Sequence, residues 1–220
     1  MLHFDYDVKV ESLKVLTFCV IPGTAVKAFA DRNTNADGSM ITTSKGESAL
    51  GESNIDDLAA GRIFFTLYQQ ELKKNNSKDA QRYKNAATLI RNKLKNEHGR
   101  IKESLPGAGG FYHKAVYPSQ MWLDGLYMGV PVYALWQSAF GSTNEEDDQQ
   151  SWLDIVNQFK ILHKYTYNAD KQLNYHAWSA MPNDPNSFWA KKLNRIKVAV
   201  KNFGDVVWVG ILPPWLMCWK

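Results

Sequence analysis

From Asn54 onward, apolar side chains recur at three- and four-residue steps: Ile55, Leu58, Ala59, Ile63, Phe64, Leu67 and Tyr68. That period predicts an amphipathic helix. Asn54 is placed to cap it, and Asp56 and Asp57 fall in its first turn, where carboxylates favour a helix start. The polar run NNSKDAQ (75–81) interrupts the pattern. A second helix follows, with Ala80, Tyr83, Ala86, Ala87, Ile90 and Leu94 on one face. The two make an antiparallel helical hairpin. HGRIKESLPGAGG (98–110) has the composition of a loop. A third helix is predicted from about Ser119 to Phe140, with Pro118 just before its start and Pro131 inside it, where proline kinks or breaks a helix. GSTNEEDDQQ (141–150) reads as a polar connector. Residues 151–165 read as a fourth helix with Trp152, Ile155, Val156, Phe159 and Leu162 on one face. No convincing strand alternation interrupts this middle region. The expected class is all-α, built of repeated hairpins.

Such hairpins bury their faces against neighbours, and two of them with flanks are too few to close anything. The ends follow other patterns. Residues 8–28 lack a clean period, and the tail from about Lys191 carries VVWVGILPPWLMCWK, with three Trp, a Pro-Pro and no polar face.

Length and charge narrow the classes. The 220 residues fit one domain or a piece of a larger one. The net charge is +4, with Lys and Arg spread among Asp and Glu. No basic block interleaved with aromatics tracks nucleic acid, so none is expected as a partner. Two cysteines, Cys19 and Cys218, stand far apart without metal-ligand spacing, so neither a disulfide scaffold nor a zinc site is expected. No run of about 18 apolar residues suggests a membrane span. The short apolar stretch 15–21, preceded by acidic residues, makes a poor signal peptide, and the expected location is the cytoplasm.

The candidate chemistry sits in three stretches: NIDDLAAGR with Asp56 and Asp57, FYHKAVYPSQMWLDGLYM with His113, Trp122 and Asp124, and YHAW with His176. Asp124 stands among Tyr117, Trp122, Leu123, Leu126, Tyr127 and Met128. An acid there is either the polar edge of a core helix or a carboxyl group whose proton is held out of water. Asp56 could equally serve as a helix-start residue, and a histidine among aromatics is often a satisfied core residue.

The stretch from His113 to Met128 matches H-K-x-x-Y-P-x-Q-M-W-L-D-G-L-Y-M at every fixed position. In this the chain resembles the unsaturated rhamnogalacturonyl hydrolases of glycoside hydrolase family 105, relatives of the unsaturated glucuronyl hydrolases of family 88. NID at 54–56, the glycine and FTLY that follow, and YHAW at 175–178 fit the same resemblance. It runs from about Asp31 to Trp178, with a weaker echo in FDYD at 4–7. It implies an (α/α)6 barrel, here incomplete. It implies removal of a Δ4,5-unsaturated uronic acid from pectin-derived (rhamnogalacturonan) oligosaccharides by hydration of the vinyl ether double bond, with no metal or organic cofactor. Asp124 would be the acid and base, and desolvation among Trp122, Tyr127 and Met128 would favour its neutral form against the helix N-terminus. Asp56 would help hold the sugar and the acid. His113, His176, Trp122 and Tyr6 would contact the substrate. Other readings are an unsaturated glucuronyl hydrolase of other polysaccharides, a sugar epimerase on the same barrel, or a non-catalytic truncated product.

The resemblance ends in the tail. The family continues past YHAW to F-W-G-R-G-x-G-W-Y, whose arginine can grip a uronate carboxylate, and then to a helix resembling M-V-D-V-L-E. Here stands NFGDVVWVGILPPWLMCWK (202–220). Reading each new codon from the last base of one residue and the first two of the next forces Gly from Trp208 and Val209. It likewise forces Val from Met217 and Cys218, Leu from Cys218 and Trp219, and Glu from Trp219 and Lys220. The other junctions permit the remaining family letters. Residues 1–190 are therefore expected to be a partial barrel domain, and 191–220 a tail read out of frame.

Overall fold

The computed structural model describes residues 23–41, 54–141 and 145–183. Tyr6, the segment 8–22 and the tail 191–220 lie outside the described residues. The first described helix, α1 (Gly23–Asn33), is tied to the second hairpin arm by an ionic cluster. Asp31 accepts from Lys27 Nζ at 2.7 Å, Arg82 Nη1 at 2.9 Å and the Tyr83 hydroxyl at 2.7 Å.

The expected helix from Asn54 begins as a 3-10 segment, Ile55–Gly61, and becomes α-helical only in α2 (Arg62–Lys73). The reason is in the spacing. Ile55, Leu58 and Gly61 are the buried positions of the first stretch, and steps of three suit a helix of three residues per turn. Asn54 caps it as expected, its side chain accepting from the Asp56 N–H at 3.2 Å. Asn75 turns the chain at φ 57°, and the Asn76 side chain caps α3 (Ser77–Asn92), which ends in a π turn at Lys93–Glu97. The face foreseen for this arm is the buried one: Ala80, Tyr83, Ala86, Ala87, Ile90 and Leu94 are all in the core.

The predicted single helix 119–140 is instead three elements. Ser119 takes φ 60°, and Gln120–Trp122 form strand β1. Then come α4 (Leu123–Met128) and α5 (Val130–Phe140). The break falls at Gly129, so Pro131 sits at the second residue of α5, where its missing N–H costs nothing. Helix α6 (Glu145–Thr166) begins inside the expected connector, with Glu145, Glu146, Asp147 and Asp148 in its first turn, the end where carboxylates are favoured.

The predicted face of α6 is only half right. Its buried residues are Ser151, Ile155, Gln158, Leu162 and Thr166, while Trp152 and Val156 are 37% and 42% exposed. Polar side chains displace the apolar stripe because they have partners to meet. Gln158 takes the Phe111 N–H at 2.9 Å and gives to the Gly109 carbonyl at 3.1 Å. Two small ladders follow α6: β2 (Tyr167–Asn168) with β3 (Leu173–Asn174), and β4 (Ala177–Ser179) antiparallel to β1, with Trp122 opposite Ala177. These strands are too short for alternation to show in the sequence. The main core gathers residues from α1, the 3-10 segment, α2, α3 and α5 with Ile155. A smaller cluster of Ile101, Met121 and Leu162 lies under the loop and β4. The class is all-α. Among the described residues no helix is long and apolar enough to cross a membrane.

Candidate active site

The segment Phe111–Lys114 is threaded between two others by backbone hydrogen bonds. The His113 carbonyl accepts from Ile55 N–H at 3.0 Å, and the His113 N–H donates to the Gln120 carbonyl at 2.9 Å. Lys114 makes an antiparallel bridge with Asn54. On the far side β4 pairs with β1, and Leu123 N–H donates to the His176 carbonyl at 2.6 Å. Three stretches far apart in the chain are thereby laid edge to edge: 54–56, 113–124 and 176.

The side chains converge accordingly. His113 is 2% exposed and forms the floor. Its Nε2 lies 3.5 Å from Asp56 Oδ1 and its Nδ1 3.7 Å from Asp124 Oδ1. Both carboxylates reach solvent, with side chains 33% and 20% exposed. Asp124 is thus a carboxyl group at a rim rather than one sealed in a core. Trp122 lies flat against the imidazole, centroids 4.4 Å apart and planes within 1°, and also stacks with Tyr117 at 5.4 Å. His176 meets Trp122 at 5.3 Å with its plane turned by 60°. Gly125 completes the cradle, because a Cβ there would stand 3.3 Å from His113 Nδ1.

The electrostatics follow burial first. Desolvation pushes the His113 imidazole below its usual value against the opposing pull of Asp124 and then Asp56. Burial likewise lowers His176, with Asp124 opposing. Both rings are therefore neutral at neutral pH. Lys114, which sequence reading did not single out, sets its ammonium 2.8 Å from Asp56 Oδ2, and that hydrogen bond raises its pKa. Its signal in the chain is its place as the fixed lysine of the H-K-x-x-Y-P string. Asp57 points elsewhere, accepting from Asn54 Nδ2 at 3.1 Å. Burial, and secondarily the like charge of Asp56, raises its pKa.

Asp56, His113 and Asp124 could each offer one ligand atom, all within 4.8 Å of one another. The Lys114 ammonium already sits against Asp56, so an added cation would meet a fixed positive charge. The set suits proton handling and hydroxyl binding better than a metal. Of the six residues expected at the site, five are gathered here: Asp124, Asp56, His113, His176 and Trp122. Tyr6 falls outside the described residues.

The sequence profile described as Glycosyl Hydrolase Family 88 matches residues 24–196. The chain belongs to this family. A similar solved structure is the C. acetobutylicum ATCC 824 glycoside hydrolase from family 105, 32% identical, with a TM-score of 0.56 over 75% of this chain and 40% of that one. The chain thus spans less than half the length of that relative. Within the family 88 match lie Asp56, His113, Asp124 and His176, the residues that the fold assembles.

Proposed function

We propose that the chain carries the acid–base half of a glycoside hydrolase that removes a Δ4,5-unsaturated uronic acid from rhamnogalacturonan-derived oligosaccharides, acting in the cytoplasm without metal or organic cofactor. The observation that carries the reading is the convergence of the Asp124 and Asp56 carboxylates on one buried imidazole, within 3.7 Å. Asp124 protonates the ring alkene carbon C4. Water adds at C5 and gives its proton back to the Asp124 carboxylate. The resulting hemiketal opens and expels the aglycone. This differs from ordinary glycosidases, in which the acid protonates the exocyclic oxygen. Asp56 and His176 hold sugar hydroxyls, His113 lies beneath them between the two carboxylates, Trp122 walls the site, and Tyr6 adds a contact from the amino-terminal segment.

Loss of the ultraviolet absorbance of the unsaturated uronate tests this. Turnover by the wild type, with Asp124→Asn lower by on the order of 10²- to 10⁴-fold, supports the reading. Equal turnover in the two sinks it.

A second reading rests on the letters of the tail (202–220), whose forced out-of-frame codons fall on the family pattern: a product without activity. It goes with the proposal that residues 191–220 are out of frame. Sequencing the source DNA across codons 185–220 decides that point. A single-base change that restores G-R-G-x-G-W-Y supports it, and an intact frame as written refutes it.

A further inference from the structure

We infer that His113 is a tautomer-switching relay that couples the protonation states of Asp124 and Asp56. The inference deepens the reading of Asp124 as proton donor and rests on it for its purpose. Three atoms motivate it. Asp56 Oδ1, His113 Nδ1 and Asp124 Oδ1 are all buried, and none has a hydrogen-bond partner among the described residues. They stand in a row, 3.5 Å and 3.7 Å across the two ring nitrogens. These gaps are somewhat longer than hydrogen bonds, and catalytic hydrogen bonds commonly tighten when substrate binds.

A neutral imidazole has one N–H and one lone pair. It cannot donate to both carboxylates. When Nε2 holds the hydrogen towards Asp56, Nδ1 presents a lone pair. Asp124 is then matched only as the protonated acid, its O–H donating to Nδ1. When Nδ1 holds the hydrogen, Asp124 is matched as the carboxylate. Each protonation state of the acid therefore selects one tautomer. The passage between them balances. The Asp124 O–H bond breaks as Nδ1–H forms, and Nε2–H breaks as an O–H bond forms on Asp56. One proton moves from Asp124 to Asp56, or back, and nothing is oxidised or reduced.

The surroundings fit this use of the ring. Trp122 lies flat on it and Gly125 closes on Nδ1, so a ring flip that would exchange the two partners is obstructed. The charged and titratable groups facing it are Asp56 from the 3-10 segment, Asp124 from α4, Lys114 beside it, and His176 before β4, with His98 more distant. Lys114, on the other oxygen of Asp56, stabilises the charged form at that end.

Two-bond ¹H–¹⁵N correlation spectra of the ¹⁵N-histidine-labelled chain test the relay without substrate, from about pH 5.5 to 8.5. The His113 signals are assigned by their loss in His113→Gln. His98 is the internal control, since its Nε2 lies 2.7 Å from the Tyr112 carbonyl and must carry the hydrogen in every variant. The expected result is a His113 tautomer ratio in the wild type that differs by about tenfold or more, the equivalent of one pK unit of interaction, from the ratio in Asp124→Asn. Asp56→Asn displaces the ratio as well. A ratio unmoved by both substitutions overturns the relay. Where one variant loses the His98 control signal, the other decides. Because no turnover is read, an inactive chain with a switching ring refutes the proposed reaction and leaves the relay, and an active chain with a fixed ring does the reverse.

Discussion

Gly129→Ala separates two opposing effects whose sizes the structure fixes. Gly129 has φ −100° and ψ −47°, a conformation that alanine adopts freely. Helix propensity alone would reward the change by up to about 1 kcal/mol. The new methyl, however, would stand 2.6 Å from Ile55 Cγ1 and 2.8 Å from Ile55 Cδ1, far inside van der Waals contact. Ile55 is 1% exposed, and its backbone N–H holds the His113 carbonyl, so it has no room to retreat. Overpacking of this kind costs about 1–3 kcal/mol. The clash should therefore win, with a net loss of about 1–2 kcal/mol. For a chain of this size each kcal/mol lowers Tm by about 2–4 °C. Urea unfolding of four proteins checks it: wild type, Gly129→Ala, Ile55→Ala and the double variant. In the Ile55→Ala background the methyl has space, and Gly129→Ala should turn neutral or stabilising. A Gly129→Ala chain at least as stable as the wild type would refute the packing argument. So would an equal cost in both backgrounds, since the coupling to Ile55 would then be absent. The outcome bears on the site, because Asp56 follows Ile55 directly and would move with it.

Three further perturbations follow from the same geometry. Burial lowers the pKa values of His98, His113 and His176, so the unfolded chain binds more protons than the folded one below the unfolded value of about 6.5. Their contribution to stability is complete above that pH and is lost as pH falls through it towards the folded values; urea midpoints between pH 8 and pH 5 that fail to drop would contradict this. Arg91→Met removes the guanidinium that serves Gln137 Oε1 at 3.0 Å, Asp147 Oδ2 at 3.1 Å and Ser151 Oγ at 3.0 Å. Lys95 still serves Asp147 and Ser151, but the buried Gln137 Oε1 is left unmatched, which costs about 1–3 kcal/mol, read as a lower denaturation midpoint with α5 and α6 loosened in hydrogen exchange. Asn76→Ala deletes the α3 cap and one of the donors to Glu71, which is 2% exposed. A loss of about 1–2 kcal/mol is expected, and thermal unfolding checks it.

The legible part of the sequence was the part whose physics is local. The period of Ala80, Tyr83, Ala86, Ala87, Ile90 and Leu94 gave the inner face of α3 because every one of those positions packs inward. Period failed on α6, where Gln158 and Ser151 turn inward to meet the Gly109 carbonyl and Arg91, and Trp152 is left outside. A buried polar residue is chosen by a partner elsewhere in the chain, and a helical wheel carries no record of that partner. The break at Gly129 was hidden for a similar reason. Proline announces a break, but the glycine that carries it is required by the approach of Ile55 from another segment. At the site the family resemblance, carried by NID, the string from His113 to Met128 and YHAW, named Asp56, His113, Trp122, Asp124 and His176. Lys114 was missed although it stands inside that string, because its meeting with Asp56 depends on the Asn54–Lys114 bridge, a pairing of distant segments.

The site gathers three of the buried polar atoms that the described residues leave without a hydrogen-bond partner. A buried polar atom without a partner costs about 1–3 kcal/mol, and Asp56 Oδ1, His113 Nδ1 and Asp124 Oδ1 face one another in that condition. A small shift would relieve the cost by closing 3.5 Å and 3.7 Å to hydrogen-bond length. What opposes it is the framework around His113. Its carbonyl and N–H are held on opposite sides by Ile55 and Gln120, its ring is pressed by Trp122, and a side chain at position 125 would crowd Nδ1. The carboxylates are restrained in their turn, Asp56 by Lys114 at 2.8 Å and Asp124 by the first turn of α4, which begins where β1 ends. Each restraint comes from a different segment, so none can relax without breaking a pairing outside the site. A row of polar atoms held just short of contact is ready for a sugar hydroxyl or a proton to complete it, which is why the proposed chemistry is assigned to this row.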